Sequence, residues 1–218
     1  MNRILPILIA AVIAIGGAFY MTQNNGSLPG VSVAEAQTSD AAIEPAADMV
    51  LGDENAPLTV IEYASFTCPH CANFHKDTFK KLKQNYIDTG KVKFVHREVY
   101  FDQFGLWAGM IARCGGDERY FGLVDLIYGG QKDWIADGSP TTIVANLKKL
   151  GRTAGMTDEQ MDVCLQDEDS ARSLVAAYQQ NAGADEITGT PSFIIDGTKY
   201  SNMSYSDFAA ILDEKLGE

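Results

Sequence analysis

The chain has 218 residues, of which 46% are hydrophobic and 21% charged, so it can bury enough apolar surface to fold and is not intrinsically disordered. Its 29 acidic and 17 basic residues give a formal net charge of −12, which excludes the basic surface of a general nucleic-acid-binding protein. Four cysteines are too few for a small domain stapled by disulfides, so each cysteine needs its own explanation.

The N-terminus has the pattern of an export segment. Arg3 precedes residues 4–21, which contain no charged residue. Such a stretch is typical of a secretory signal, and its length of about 18 residues also suffices for a membrane anchor. We expect residues 1–21 to be a cleaved signal peptide or an inner-membrane anchor, residues 22–48 to be a flexible linker, and the folded domain to lie in the periplasm, an oxidising compartment.

Strand and helix patterns follow the linker. Residues 58–63 predict a buried strand, residues 72–85 a helix and residues 91–99 a second strand. Residues 102–183 have a helical pattern throughout, with a capping box at Thr157 and Gln160 and a final stop at Gly183. Residues 192–195 and 198–200 flank Asp196-Gly197, a dipeptide typical of hairpin turns, and precede a last helix over residues 205–216.

This order of elements predicts an α/β protein with an all-helical insertion. A crossover between parallel strands needs only about a dozen residues, whereas roughly 80 residues separate the second and third predicted strands. We therefore expect residues 49–101 and 184–218 to form one domain, and residues 102–183 to form a helical domain inserted into it.

Cys68 and Cys71 form a Cys-Pro-His-Cys motif at the start of the first predicted helix. The helix dipole and free backbone N–H groups stabilise a thiolate at Cys68, which we expect to be the more exposed sulfur, and His70 can add a positive charge. A stabilised thiolate is a good leaving group, so the disulfide form oxidises other thiols. Three other roles stay open: a structural disulfide, a zinc site completed by residues such as His75 and His96, or a copper(I) site on the two thiolates.

Two segments of the chain resemble a known family. Residues 62–71 (EYASFTCPHC) and residues 189–193 (GTPSF) are similar to the DsbA family of thioredoxin-fold thiol–disulfide oxidoreductases. The resemblance covers residue 49 to the C-terminus and implies a thioredoxin fold with a helical insertion. It also implies that Cys68 is the nucleophile that forms a mixed disulfide, that Cys71 resolves it, and that His70 stabilises the Cys68 thiolate.

The resemblance gives roles to three residues outside the motif. Thr190-Pro191 corresponds to a loop in which the proline is cis and the preceding residue faces the active sulfur. Glu62 corresponds to a buried acid that helps to move the proton of the resolving cysteine, although an exposed residue on an edge strand is the alternative. The chain departs from the family at His75, where the well-known members carry glutamate, so electrostatic tuning from this position is expected to change sign or vanish.

Cys114 and Cys164 lie in the helical region, about 50 residues apart. Four cysteines allow three pairings, and only the pairing of Cys114 with Cys164 leaves Cys68 and Cys71 free to react with each other. A structural disulfide that closes this loop would stabilise the fold by roughly 4 kcal/mol. Two buried reduced thiols are the alternative.

The sequence therefore predicts an exported dithiol oxidase that passes the Cys68–Cys71 disulfide to folding proteins with free thiols. The family resemblance implies reoxidation by a quinone-linked membrane protein of the DsbB type. We expect no cofactor, no metal ion and a monomer. Isomerases of this fold usually carry an N-terminal oligomerisation segment, and residues 22–47 are too polar and too interrupted by glycine and proline to be one, which favours an oxidase. A disulfide isomerase or reductase of the same fold and a copper(I) metallochaperone are the alternatives.

Overall fold

A computed structural model describes residues 43–218 of the chain. The predicted signal or anchor at residues 1–21 and residues 22–42 of the predicted linker lie outside this part. Over residues 43–218, no helix has both the length and the apolar character needed to cross a membrane.

Five strands and a series of helices make up the described chain. The strands are β1 (Met49–Leu51), β2 (Leu58–Ala64), β3 (Val92–Glu98), β4 (Ser192–Ile195) and β5 (Thr198–Ser201). Helix α1 follows β2 and consists of four consecutive segments: Pro69–Phe74, the π-helical His75–Phe79, Lys80–Leu82 and the π-helical Lys83–Ile87. The later helices are α2 (Gln103–Cys114), α3 (Asp117–Gly129), α4 (Gln131–Ile135), α5 (Pro140–Thr153), α6 (Asp158–Leu165), α7 (Glu168–Ala184) and α8 (Tyr205–Leu216).

The strands form one mixed sheet in the order β1-β3-β2-β4-β5. Strands β2 and β3 are parallel and are connected through α1, whereas β4 pairs with β2 and β5 with β4 in antiparallel fashion. The hairpin turn between β4 and β5 contains Asp196 and Gly197 with φ of 47° and 76°, because the two-residue turn that matches strand twist requires positive φ at both positions. The predicted α/β fold, its strands and its hairpin are confirmed.

Two of the buried apolar clusters include residues of α1. One lies between the sheet, α1 and α8 and includes Val60, Phe74 and Phe193. The other lies among α2, α3, α4 and α5 and includes Phe66 and both motif cysteines. The helices between β3 and β4 therefore share a core with the loop that carries Cys68.

Three local expectations differ from the structure. Strand β1 was not predicted, because three residues are too few to show alternation; it gains its stability by pairing with β3. Residues 44–48, assigned by composition to the linker, contact the folded chain: Ala46 N donates to Ser173 O on α7 and Asp48 binds Arg97 on β3. Helix α7 continues past Gly183, and the chain turns instead at Glu186, with φ of 51°.

Candidate active site

Cys68 is the N-cap of α1, and Cys71 lies in the first turn of that helix. Cys68 has extended backbone angles (φ −81°, ψ 119°), and Pro69 follows at a position where its missing N–H leaves no hydrogen bond unmade. Both cysteines are free thiols in this structure. Cys68 is 9% exposed and Cys71 fully buried, so the expected difference in accessibility is present but small.

The two thiols differ sharply in acidity. A hydrogen bond from the Cys71 side chain, helped by the Thr190 side chain and by the backbone N–H groups of Cys71 and His70, lowers the pKa of Cys68 to about 5 against the opposing effect of burial. Burial, the hydrogen bond to Cys68 and the negative charge of Glu62 raise the pKa of Cys71. At neutral pH the reduced motif therefore holds a thiolate at Cys68 and a thiol at Cys71.

The loop before β4 covers the reactive sulfur. The Thr190–Pro191 peptide bond is cis, and the Thr190 carbonyl oxygen lies 3.4 Å from Cys68 Sγ, where it accepts a hydrogen bond when Cys68 is protonated. Thr190 Oγ1 is buried without a hydrogen-bond partner, so its hydroxyl is free to donate to a thiolate. Strand β4 pairs with β2, with Phe193 opposite Glu62. This pairing brings the loop to the motif, although Thr190 follows Cys71 by 119 residues in the sequence.

His70 lies in the exposed part of the motif. Its backbone N–H contributes to the low pKa of Cys68. Within residues 43–218, its imidazole ring makes no hydrogen bond, so the structure supports a role for the His70 backbone more directly than for its side chain.

Gln131, which no sequence pattern singled out, holds the active-site loop. The side chain is buried and donates from Nε2 to Phe66 O over 2.8 Å and to Cys68 O over 2.9 Å. On the other side of the loop, Thr67 Oγ1 donates to Asp102 Oδ2, the side chain that caps α2. The inserted helices therefore fix the backbone on which Cys68 is carried.

Glu62 lies on the central strand of the sheet and is fully buried, so the alternative of an exposed edge residue is wrong. Its Oε2 lies 2.8 Å from His75 Nε2, and its Oε1 has no hydrogen-bond partner. His96 is next to Glu62 in the register of β2 with β3. The sequence suggested the two histidines only as possible zinc ligands with the motif cysteines, whereas the sheet and α1 bring both of them to Glu62.

Glu62, His75 and His96 each offer one possible metal ligand, and these atoms lie within 4.8 Å of one another. The ring nitrogens involved face partners inside the protein: His75 Nε2 faces Glu62, and the two nitrogens of His96 face the hydroxyls of Tyr120 (2.7 Å) and Tyr128 (3.5 Å). A metal ion would have to displace these buried contacts. The cluster is better described as a hydrogen-bonded network.

The second pair of cysteines lies away from the motif. A disulfide joins Cys114, the last residue of α2, to Cys164 in α6, and it closes a loop with a sequence separation of 50. It connects two helices of the insertion, and neither sulfur lies at a helix N-terminus.

Comparisons with known proteins extend over the same region. A thioredoxin family model matches residues 44–214. A protein of Rickettsia bellii with the provisional name protein-disulfide oxidoreductase is 37% identical over 172 residues, covering 78% of this chain and 65% of the relative. The chain thus spans slightly less than two thirds of that relative's length.

Two solved structures share the fold over nearly their whole length. The crystal structure of alpha-DsbA1 from Wolbachia pipientis matches with a TM-score of 0.72 and 28% identity, covering 83% of this chain and 96% of that one. The crystal structure of protein-disulfide isomerase from Novosphingobium aromaticivorans matches with a TM-score of 0.68 and 25% identity, covering 78% and 98%. Because the family model spans most of the chain and a DsbA structure matches it over 96% of that structure's own length, the chain belongs to the thioredoxin family and, within it, to the DsbA-like proteins.

Proposed function

We propose that this chain is a thiol–disulfide oxidoreductase that introduces disulfide bonds into folding proteins. The observation that carries the proposal is the unequal acidity of the two motif thiols: the pKa of Cys68 is lowered to about 5, and that of Cys71 is raised. A thiolate stabilised in the reduced protein favours reduction of the Cys68–Cys71 disulfide, so the oxidised protein removes electrons from other thiols.

The exchange proceeds through a mixed disulfide. A substrate thiolate attacks Cys68 Sγ, the bond between Cys68 and Cys71 breaks, and its electron pair goes to Cys71 Sγ, which takes up a proton. A second thiolate of the substrate then attacks the substrate sulfur of the mixed disulfide, and Cys68 leaves as a thiolate. The substrate gains a disulfide and loses two electrons, which the motif holds as one thiolate and one thiol.

The neighbouring residues support each step. The Thr190 hydroxyl and the N–H groups of the first helical turn stabilise the Cys68 thiolate, while Pro191 and the carbonyl of Thr190 shape the surface over the sulfur. The carboxyl group of Glu62, buried near Cys71, supplies the proton for the departing thiolate. The His70 side chain, exposed beside Cys68, meets the substrate, and the Cys114–Cys164 disulfide stabilises the insertion.

The cellular setting is part of the same proposal. The uncharged segment behind Arg3 supports export to the periplasm, where free thiols of newly exported proteins would be the substrates. The DsbA-like family supports reoxidation by a quinone-linked membrane protein of the DsbB type. The protein acts as a monomer in this scheme.

The test is oxidation of a reduced, unfolded ribonuclease A by the oxidised chain in stoichiometric amount. We expect free thiols to disappear from the substrate as Cys68 and Cys71 become reduced, and we expect no reaction with Cys68→Ser. The variant that replaces both Cys114 and Cys164 with alanine is the matched control and should oxidise the substrate as wild type does. Equilibration with glutathione gives the decisive contradiction: a reduction potential well below that of the glutathione pool would exclude an oxidase.

A disulfide isomerase is the second candidate, supported by the name of the structurally similar Novosphingobium protein. An isomerase acts from its reduced form, in which the Cys68 thiolate attacks a wrong disulfide of the substrate. The discriminating substrate is therefore ribonuclease A with scrambled disulfides. Two results together would favour the isomerase. The reduced chain would restore the activity of scrambled ribonuclease A catalytically, and the oxidised chain would fail to restore the activity of reduced ribonuclease A.

A further inference from the structure

The carboxyl group of Glu62 is bound on one side only. Its Oε2 lies 2.8 Å from His75 Nε2, and both side chains are buried, with exposed fractions of 0% and 2%. Its Oε1 is buried without any hydrogen-bond partner. An unsatisfied buried carboxyl oxygen costs free energy and calls for a functional explanation.

Cys71 lies on the face of α1 that meets Glu62. Cys71 and His75 are four residues apart on α1 and therefore share a helical face. Since His75 contacts Glu62 from that face, Cys71 lies on the same side of β2, and the charge of Glu62 affects the acidity of the Cys71 thiol. One oxygen of Glu62 is thus held by His75, and the other has no partner although Cys71 lies on the same side of β2.

The ring of His75 cannot turn away from Glu62. It stacks on Tyr128 with centroids 4.3 Å apart and an interplanar angle of 22°. The ring centroid of Phe79, at the end of the same π-helical segment, lies 4.7 Å from that of His75. The ring of Phe74 meets the His75 ring edge-on, with the centroids 5.5 Å apart. Aromatic contacts from two helices therefore fix the orientation of Nε2.

His96, on β3, is neutral and does not compete for Glu62. Burial lowers the pKa of His96 to about 4. Tyr120 donates its hydroxyl hydrogen to Glu98 Oε1 over 2.8 Å, so His96 Nδ1, 2.7 Å from the same hydroxyl, must donate to it. The bare Nε2 of His96 then faces the hydroxyl of Tyr128, 3.5 Å away.

The other charged groups around this site are already paired or point outward. Glu98 is bound by Arg113 at 2.6 Å, and burial keeps Tyr128 on α3 neutral by raising its pKa well above the ordinary value. Lys76 and Asp77, next to His75 on α1, are exposed. Among the described residues, His75 is therefore the group that hydrogen-bonds the Glu62 side chain.

We propose that His75 is a positioning residue for proton transfer: by donating from Nε2 to Glu62 Oε2, it directs Glu62 Oε1 to the sulfur of Cys71 and stabilises the carboxylate that remains after the proton has moved. This deepens the proposed function and rests on it for the order of steps. When the disulfide opens, the electron pair goes to Cys71 Sγ, the proton leaves Glu62 Oε1 for that sulfur, and His75 keeps its own Nε2 proton. Its hydrogen bond is neutral before the transfer and charge-assisted after it, so it strengthens as the reaction proceeds.

The test compares two substitutions of the same residue. His75→Leu removes the donor, whereas His75→Gln retains an N–H that can reach Glu62. The rate at which dithiothreitol reduces the oxidised motif is measured for each variant, alone and combined with Glu62→Gln. Dithiothreitol reduces the disulfide whether or not proteins are the physiological substrates, so this outcome is independent of the ribonuclease test above.

We expect His75→Leu to slow the reduction about tenfold, the difference between a charge-assisted and a neutral hydrogen bond, and His75→Gln to stay within about twofold of wild type. Combined with Glu62→Gln, His75→Leu should have almost no further effect, because His75 acts through Glu62. His75 would have only a packing role if both substitutions slowed the reduction equally, or if His75→Leu slowed it as much in the Glu62→Gln background as in the wild type. A wild-type rate in His75→Leu would also overturn the proposal.

A measurement on the unsubstituted chain keeps the proposal testable if His75→Leu does not fold. Nitrogen-15 resonances of the His75 ring report which nitrogen carries a proton. We expect a proton on Nε2 in both the oxidised and the reduced protein. A bare Nε2 in either state would contradict the proposal, because His75 would then accept from Glu62 and could not stabilise its carboxylate.

Discussion

The acidity of Cys68 depends first on a hydrogen bond that a single substitution removes. The Cys71 side chain is the largest contributor to the low pKa of Cys68, which is about 5. A hydrogen bond to a charged group contributes about 1.5–3 kcal/mol, and 1.36 kcal/mol corresponds to one pKa unit, so Cys71→Ala should raise the pKa of Cys68 to about 6–7. At pH 6, the thiolate fraction should fall from about 90% to between about 10% and 50%.

Cys71→Ser is the matched control, because its hydroxyl keeps a donor in the same place. The assay is an ultraviolet titration of the thiolate in the reduced variants, checked by the pH dependence of alkylation with iodoacetamide. We expect Cys71→Ser to titrate close to wild type and Cys71→Ala clearly above it. Identical titration curves for the two variants would refute the reasoning, since the acidity of Cys68 would then come from the helix N-terminus and the Thr190 loop.

Three further predictions concern redox chemistry and stability. Reduction should take up one proton from solvent above about pH 5, because Cys68 is then a thiolate and Cys71 a thiol, and because Glu62 regains from solvent the proton that it passes to Cys71. Equilibration with glutathione should therefore show a potential that falls by about 30 mV per pH unit above pH 5 and by about 60 mV per pH unit below it. Replacing Cys114 and Cys164 with alanine should lower the free energy of unfolding by about 4 kcal/mol in denaturant titrations, because the unfolded chain then gains conformational entropy. An unchanged midpoint would mean that the disulfide does not stabilise the fold in this way. Gln131→Leu should cost about 1–3 kcal/mol in both oxidation states by leaving buried carbonyls without a donor; equal stability to wild type would show that water replaces the side chain.

Local patterns in the sequence were sufficient for much of the fold. Alternation and β-branched content located β2 and β3, and Asp196-Gly197 located the hairpin. The capping box at Thr157 and Gln160 is present at the start of α6, because both of its hydrogen bonds form within four residues. The position of Gly183 was misleading: α7 runs to Ala184, one residue beyond the local stop signal.

The sequence by itself determined the reactive motif, since the position of Cys68 at a helix N-terminus and the spacing to Cys71 are set by neighbouring residues. Tertiary structure decided the surroundings. His75 and His96 meet Glu62 only because β3 lies beside β2 in one register and α1 packs over both. The same holds for Gln131, which reaches the loop from 63 residues away in sequence. Contacts across such separations depend on how whole elements pack, and no local pattern of residues encodes them.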